Sequence, residues 1–222
     1  MVLKLVLASR NRGKLEELKA LLDGRGYEVI PLDSFEGLPE IPETGTTFQE
    51  NAVIKAREAA RMTNNICLAD DSGLEVDFLH GAPGVYSSRF AGPDKDDLAN
   101  NKKLLELLEG VPWELRTARF KCVVAVASPN GYVETVEGVC EGSIGFEPKG
   151  NHGFGYDPIF IVAGQGCTMA ELDPVTKNLI SHRAKAFNRA VPILEAFKKE
   201  PASGVSSKGQ VLPPAVYKKV II

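Results

Sequence analysis

Val2 to Ala8 is a short apolar run of strand type. From Gly13 to Asp23, Leu15, Leu18, Leu21 and Leu22 fall on one helical face, and Gly24 stops the pattern. The chain is therefore predicted to open strand, loop, helix. After a proline-rich connection from Pro31 to Pro42, Thr47 and Glu50 stand at capping-box spacing, and Ala52, Val53, Ala56, Ala59 and Ala60 supply the narrow apolar stripe of a second helix. Ile66 to Ala69 reads as a buried strand ending in Asp70-Asp71-Ser72-Gly73, followed by a half-buried alternating segment from Leu74 to Phe78. Asp94 to Glu109 carries Leu98, Leu104, Leu105 and Leu108 at helical spacing, with Gly110 and Pro112 as stop signals. Arg119 to Ser128 and Tyr132 to Cys140 flank the turn Pro129-Asn130-Gly131, a hairpin signal that requires a mixed sheet. A glycine-rich loop from Gly150 to Gly155 leads to an apolar strand at Ile159 to Val162. Ser181 is placed to cap a last helix, which Pro192 should kink or interrupt. The pattern is that of an α/β fold without internal repeats, and the stretch after Glu200, rich in Ser, Gly and Pro before an apolar end, reads as an extended appendage.

Composition narrows the class. The 222 residues, 44% hydrophobic and 25% charged, fit one large α/β domain or two small lobes and exclude a disordered, collagen-like or coiled-coil chain. The longest uncharged stretch, Pro158 to Ala170, contains a proline and two glycines and falls short of the roughly 18 apolar residues of a spanning helix. With no secretory pattern at the start, the expected setting is the cytoplasm, without a membrane partner. Cys67, Cys122, Cys140 and Cys167 show no paired spacing and are expected to be reduced core thiols, neither disulfides nor zinc ligands. A formal charge of −3 argues against nucleic acid as a partner, so any polyanion must be met locally.

Local charge is where the chain breaks its own rules. Helix N-termini favour anions, yet Arg10, Arg12 and Lys14 crowd the start of the first helix, and His182, Arg183 and Lys185 the start of the last. A bound phosphate would remove the conflict by accepting from backbone N–H groups and cations together; the alternative is that these long side chains fan out into solvent. Glu43, Glu50, Asp70 and Asp71 offer the complement, hard oxygen ligands of the kind Mg²⁺ takes alongside substrate phosphates, although Glu50 is sufficiently explained by its capping box. Two adjacent acids at the carboxyl end of a strand point to a ligand site, with an ordinary turn as the alternative. Ser72 lacks the elbow of a hydrolase nucleophile, and His80 and His152 lack zinc spacing. Phe154 and Tyr156, around Gly153 and Gly155, are candidates to stack on a base or to belong to the core.

The blocks SRNRGK from Ser9, ETGTTFQENAVIKA from Glu43, ADDSGLEVD from Ala69, GAPGVYSSRFAG from Gly81, GFGYDPIF from Gly153 and ISHRAKA from Ile180 resemble, in order, the inosine triphosphate pyrophosphatase family. The resemblance reaches to about Phe197. It implies an elongated central mixed sheet flanked by helices, two lobes around a cleft within residues 1–199, a C-terminal extension at 200–222, and a homodimer. It also implies Mg²⁺-dependent cleavage of non-standard purine nucleoside triphosphates (ITP, dITP, XTP) to a monophosphate and pyrophosphate. By that resemblance Ser9, Arg10, Asn11, Arg12, Gly13 and Lys14 would hold phosphates, Asp71 would be the general base, and Glu43 with Asp71 would engage the metal. Ser72, Lys177 and the stretch Phe154, Gly155, Tyr156 and Asp157 would contact substrate, with His182 and Arg183 at the base. A regulatory nucleotide-binding module without turnover, or a Maf-type nucleotide pyrophosphatase, are the alternatives.

Overall fold

The computed structural model of the protein describes residues 2–199. Six strands form one mixed sheet in the order β2-β1-β3-β4-β5-β6. β1 (Leu3–Leu7) runs parallel to β2 (Tyr27–Pro31) and to β3 (Ile66–Val76), whereas β3, β4 (Thr117–Ala127), β5 (Val133–Ile144) and β6 (Phe160–Val162) are antiparallel neighbours. The hairpin turns where Pro129-Asn130-Gly131 predicts it, with Gly131 at φ 93°, a conformation glycine takes without strain.

Helices cover both faces. On one, α2 (Phe48–Thr63) lays Ala52, Ala56, Ala59 and Ala60 against Val6, Cys67, Ala69, Val123 and Ala125. These alanines let the helix approach the sheet closely. Its N-terminus has both halves of the capping box, with Thr47 Oγ1 accepting from the Glu50 N–H and Glu50 Oε2 accepting from the Thr47 N–H. On the other face, α1 (Arg12–Leu22) and α5 (His182–Lys199) pack Leu18, Leu22, Phe187 and Leu194 on Leu5, Leu7, Leu68, Cys122 and Val124. A third cluster, built on Leu74, Phe120, Ile144 and Phe160, joins the far half of the sheet to Leu104 and Leu108 at the end of α3 (Asp97–Leu107).

Several expectations change. The strand from Ile66 does not end at the acids: β3 continues to Val76 and pairs with β4 through ten Cα partners without a bulge, so Asp70 and Asp71 lie mid-strand on opposite faces. The local pattern suggests a turn because Asp, Ser and Gly are poor strand formers, and pairing with β4 overrides that preference. Leu98, counted on the apolar stripe of α3, is 81% exposed, because α3 starts only at Asp97, capped by Asp96, and points its first turn outward. α5 runs on through Pro192 without interruption. β2 and the short α4 (Pro174–Ile180) are additional; α4 has a signal in Asp173-Pro174, an N-cap followed by proline at the first helical position. The extension after residue 199 lies outside the described residues. Among the described residues no helix is long and apolar enough to cross a membrane.

Candidate active site

Backbone topology brings the charged groups together. β1 pairs with β3 only as far as Leu7 opposite Leu68, with the Ala8 N–H donating to Leu68 O, and among the described residues no strand covers that edge again until the bridge between Glu75 and Pro83. Asp70, Asp71 and Ser72 occupy the open edge between, a switch point of the kind where α/β sheets hold ligands.

On the α2 face, Asp71 Oδ1 accepts from Lys55 Nζ at 2.9 Å and Oδ2 from Asn51 Nδ2 at 3.2 Å. The same ammonium donates to Glu43 Oε1 at 2.8 Å, and Arg89 Nη1 stands 4.0 Å from Glu43 Oε2. Burial and the neighbouring Glu43 raise the Asp71 carboxyl above its ordinary range, against the pull of Lys55. Glu43, more open, is lowered by Lys55, Lys14 and Arg89 against desolvation.

On the opposite face, Asp70 is buried and its Oδ2 forms an ion pair with Lys14 Nζ at 2.8 Å and lies 3.5 Å from Arg183 Nε. Lys14, Arg183 and Lys55 hold the Asp70 carboxyl far below the usual carboxylate range despite its burial. Arg183 also donates to Glu17 Oε2 at 3.3 Å and to Ser72 Oγ at 3.2 Å. Its guanidinium and the Lys177 ammonium lie 5.5 and 5.1 Å from the centroid of the Phe154 ring, which is 49% exposed. Lys177 Nζ donates in turn to Asp157 Oδ2 at 2.6 Å. Lys14 and Arg183 thus gather with Asp70, while Asp71 lies across the strand. The two halves meet at the free edge of β3, where Lys14 still lowers Glu43 and Lys55 still acts on Asp70.

The basic helix starts are less conflicted than their sequence predicts. At α1, Asn11 Oδ1 caps the Lys14 N–H, Ser9 Oγ accepts from the Asn11 N–H, and Arg10 and Arg12 are exposed without an ion pair among the described residues. Gly13 is the second residue of the helix beside them. At α5 the three cations do not stack. His182 is buried on Phe120, ring centroids 4.8 Å apart, and burial with the adjacent Arg183 holds it well below its ordinary value and neutral. Arg183 is turned into the acids, and Lys185 donates to Val139 O. The loop before β6 divides by role: Phe154 is exposed, the Gly155 N–H donates to Asp97, and Tyr156 is buried with its hydroxyl on Ser87 O. Two cavities of about 330 and 550 Å³ open along β5 and β6, and neither is lined by a residue of the acid cluster.

The model of the Ham1 family matches residues 5–193. The chain belongs to the Ham1 family. It is 58% identical over 192 residues to a dITP/XTP pyrophosphatase of Desulforamulus reducens, covering 86% of this chain and 96% of that protein. It is 51% identical over 191 residues to the enzyme of the same name from Bacillus subtilis, with the same coverage of each. Among solved structures, a HAM1 protein from Coxiella burnetii superposes with a TM-score of 0.82 at 47% identity, covering 88% of this chain and 100% of that one. The Staphylococcus aureus Ham1 protein gives 0.81 at 41% identity, covering 87% and 99%.

Lys55, Asn51, Arg89 and Glu17 escape a reading by residue type. Lys55 has a signal in hindsight. It falls on the buried alanine stripe of α2, three residues after Ala52 and four before Ala59, where an ammonium needs carboxylate partners. The donor set suits a hard cation: Glu43 and Asp71 bring carboxylate oxygens within 2.9 Å of one point, now occupied by Lys55 Nζ. Among the described residues no group of three or more His, Cys, Asp or Glu gathers, so a magnesium ion here would complete its shell from substrate and water.

Proposed function

We propose that this Ham1 family member hydrolyses non-standard purine nucleoside triphosphates, dITP, ITP and XTP, to the nucleoside monophosphate and pyrophosphate with Mg²⁺. The observation that carries the reading is the pair of carboxylates, Glu43 and Asp71, converging on Lys55 at the open edge of β3, with the exposed Arg10 and Arg12 at the adjoining helix start. The names of its dITP/XTP pyrophosphatase relatives support the substrate class.

Lys14, with Arg10, Arg12 and the backbone N–H groups of the α1 start, binds the polyphosphate. Glu43 and Asp71 would hold the metal, which when bound offsets phosphate charge and polarises the phosphoryl oxygens. Asp71 takes a proton from a water directed at the α-phosphorus; the new P–O bond forms as the bond to the bridging oxygen breaks, and pyrophosphate leaves. Its raised carboxyl makes it a stronger base than an ordinary aspartate once ionised. Phe154 stacks on the purine. Arg183, with donors only, suits the 6-oxo acceptor of hypoxanthine or xanthine and is left unpaired by the amino group of adenine. The same reading carries a homodimer working in the cytoplasm on free nucleotides, supported by the resemblance and by a charge of −3 that disfavours nucleic acid.

Pyrophosphate release from dITP, XTP, GTP and ATP, with Mg²⁺ and with chelator, tests the proposal. Release from dITP and XTP that stops on chelation is expected; equal rates on ATP, or rates indifferent to chelation, would overturn it.

A further inference from the structure

Asp70 has no part in the chemistry proposed above, because it points away from Asp71 and Glu43 to the other face of β3. Its position is nonetheless central. One carboxylate oxygen, Oδ2, serves two cations from different helices: Lys14 of α1 at 2.8 Å and Arg183 of α5 at 3.5 Å. Only the first is hydrogen-bonded. Among the described residues Asp70 Oδ1 and Arg183 Nε are both buried without a hydrogen-bond partner, although their side chains form an ion pair. A buried donor without a partner, 3.5 Å from a carboxylate that has an unused acceptor oxygen, is costly and gains a bond if the two close up. Lys14, the nearer of the two cations on Oδ2, draws the carboxylate toward α1.

Resting on the function proposed above, we infer that Asp70 is a positioning residue that couples the two ends of the site. When phosphate draws the Lys14 ammonium away, Asp70 closes on Arg183 Nε and fixes the guanidinium against Phe154. Occupation of the phosphate end then strengthens binding at the base end, and by linkage the reverse. The other contacts of Arg183, to Ser72 and Glu17, leave Nε free to make this bond.

Deoxyinosine and inorganic pyrophosphate probe the two ends separately, and titration calorimetry with Mg²⁺ present reads their coupling without turnover. In the wild type, saturating pyrophosphate should tighten deoxyinosine about fivefold or more. In Asp70→Asn the factor should fall to within twofold of one. Lys14→Met, which keeps the length of a partly exposed side chain and removes its charge, serves if the Asp70 variant does not fold. Freed of its competitor, Asp70 should then give deoxyinosine the tight affinity even without pyrophosphate. Absence of coupling in the wild type, its persistence in Asp70→Asn, or an unchanged deoxyinosine affinity in Lys14→Met would each overturn the inference. A wild type that couples the two probes yet releases no pyrophosphate from dITP would overturn only the proposed function.

Discussion

Lys55 restrains the residue beside it. Burial drives the Asp71 carboxyl upward and the Lys55 ammonium pulls it down, so the native value is a balance between them. Replacing Lys55 by Met removes the pull. The acid limb of kcat/KM should move about one to three units to higher pH, which a pH–rate profile on dITP would reveal. A limb that stays in place would remove Asp71 as the titrating group. Asp71→Asn should lower kcat by about 10²–10⁴ while nucleotide binding largely persists, checked by single-turnover kinetics beside calorimetry. Acids and bases legible in the sequence were those in a conspicuous place: Lys14 at a helix start, and Asp70 and Asp71 directly after an apolar strand. Asn51 was not legible and Lys55 only in hindsight, since by residue type both are ordinary polar residues of an amphipathic helix. Only the close seat of α2 on β3 turns their stripe inward.

At the scale of elements, Gly138 sets how near α5 comes to the sheet. A Cβ there would lie 2.2 Å from the His182 carbonyl oxygen and 2.5 Å from the Ala186 nitrogen, both backbone atoms that cannot swing aside. Gly138→Ala should therefore push the start of α5 outward and destabilise the protein by about 1–3 kcal/mol, measured by chemical denaturation. Since Arg183 rides on that turn, KM should rise more than kcat falls. Elements with their own signals, the capped α2 and the Asn-Gly hairpin, are predicted correctly from the chain. β2 and the middle of β3 are not, because non-local pairing holds them: Tyr27 to Pro31 against β1, and Asp70 to Gly73 against Val124 to Lys121.

For the molecule as a whole, buried titratable groups tie stability to pH in two stages. His182 is held below its ordinary value, so its contribution is present above the unfolded value of about 6.5 and is lost as pH falls toward the folded one. Asp70 is likewise depressed, and its contribution, present above about pH 3.9, is lost on further acidification. Thermal melts from pH 7.5 to 3 should show Tm declining gently at first and then steeply, and His182→Gln should flatten the first stage. A Tm that holds level down to pH 4 in the wild type would mean that His182 is not buried as a neutral ring.

The unbroken pairing of β3 with β4 has a genetic corollary. Neighbouring codons specify acids that serve different helices, one facing α2 and the other facing α1 and α5. A single-codon insertion just upstream, if the downstream segment slid by one rung to accommodate it, would trade their places, handing a carboxylate with the wrong neighbours to each side. The length of this strand is therefore held more tightly than the identity of the residues on it that touch neither cluster.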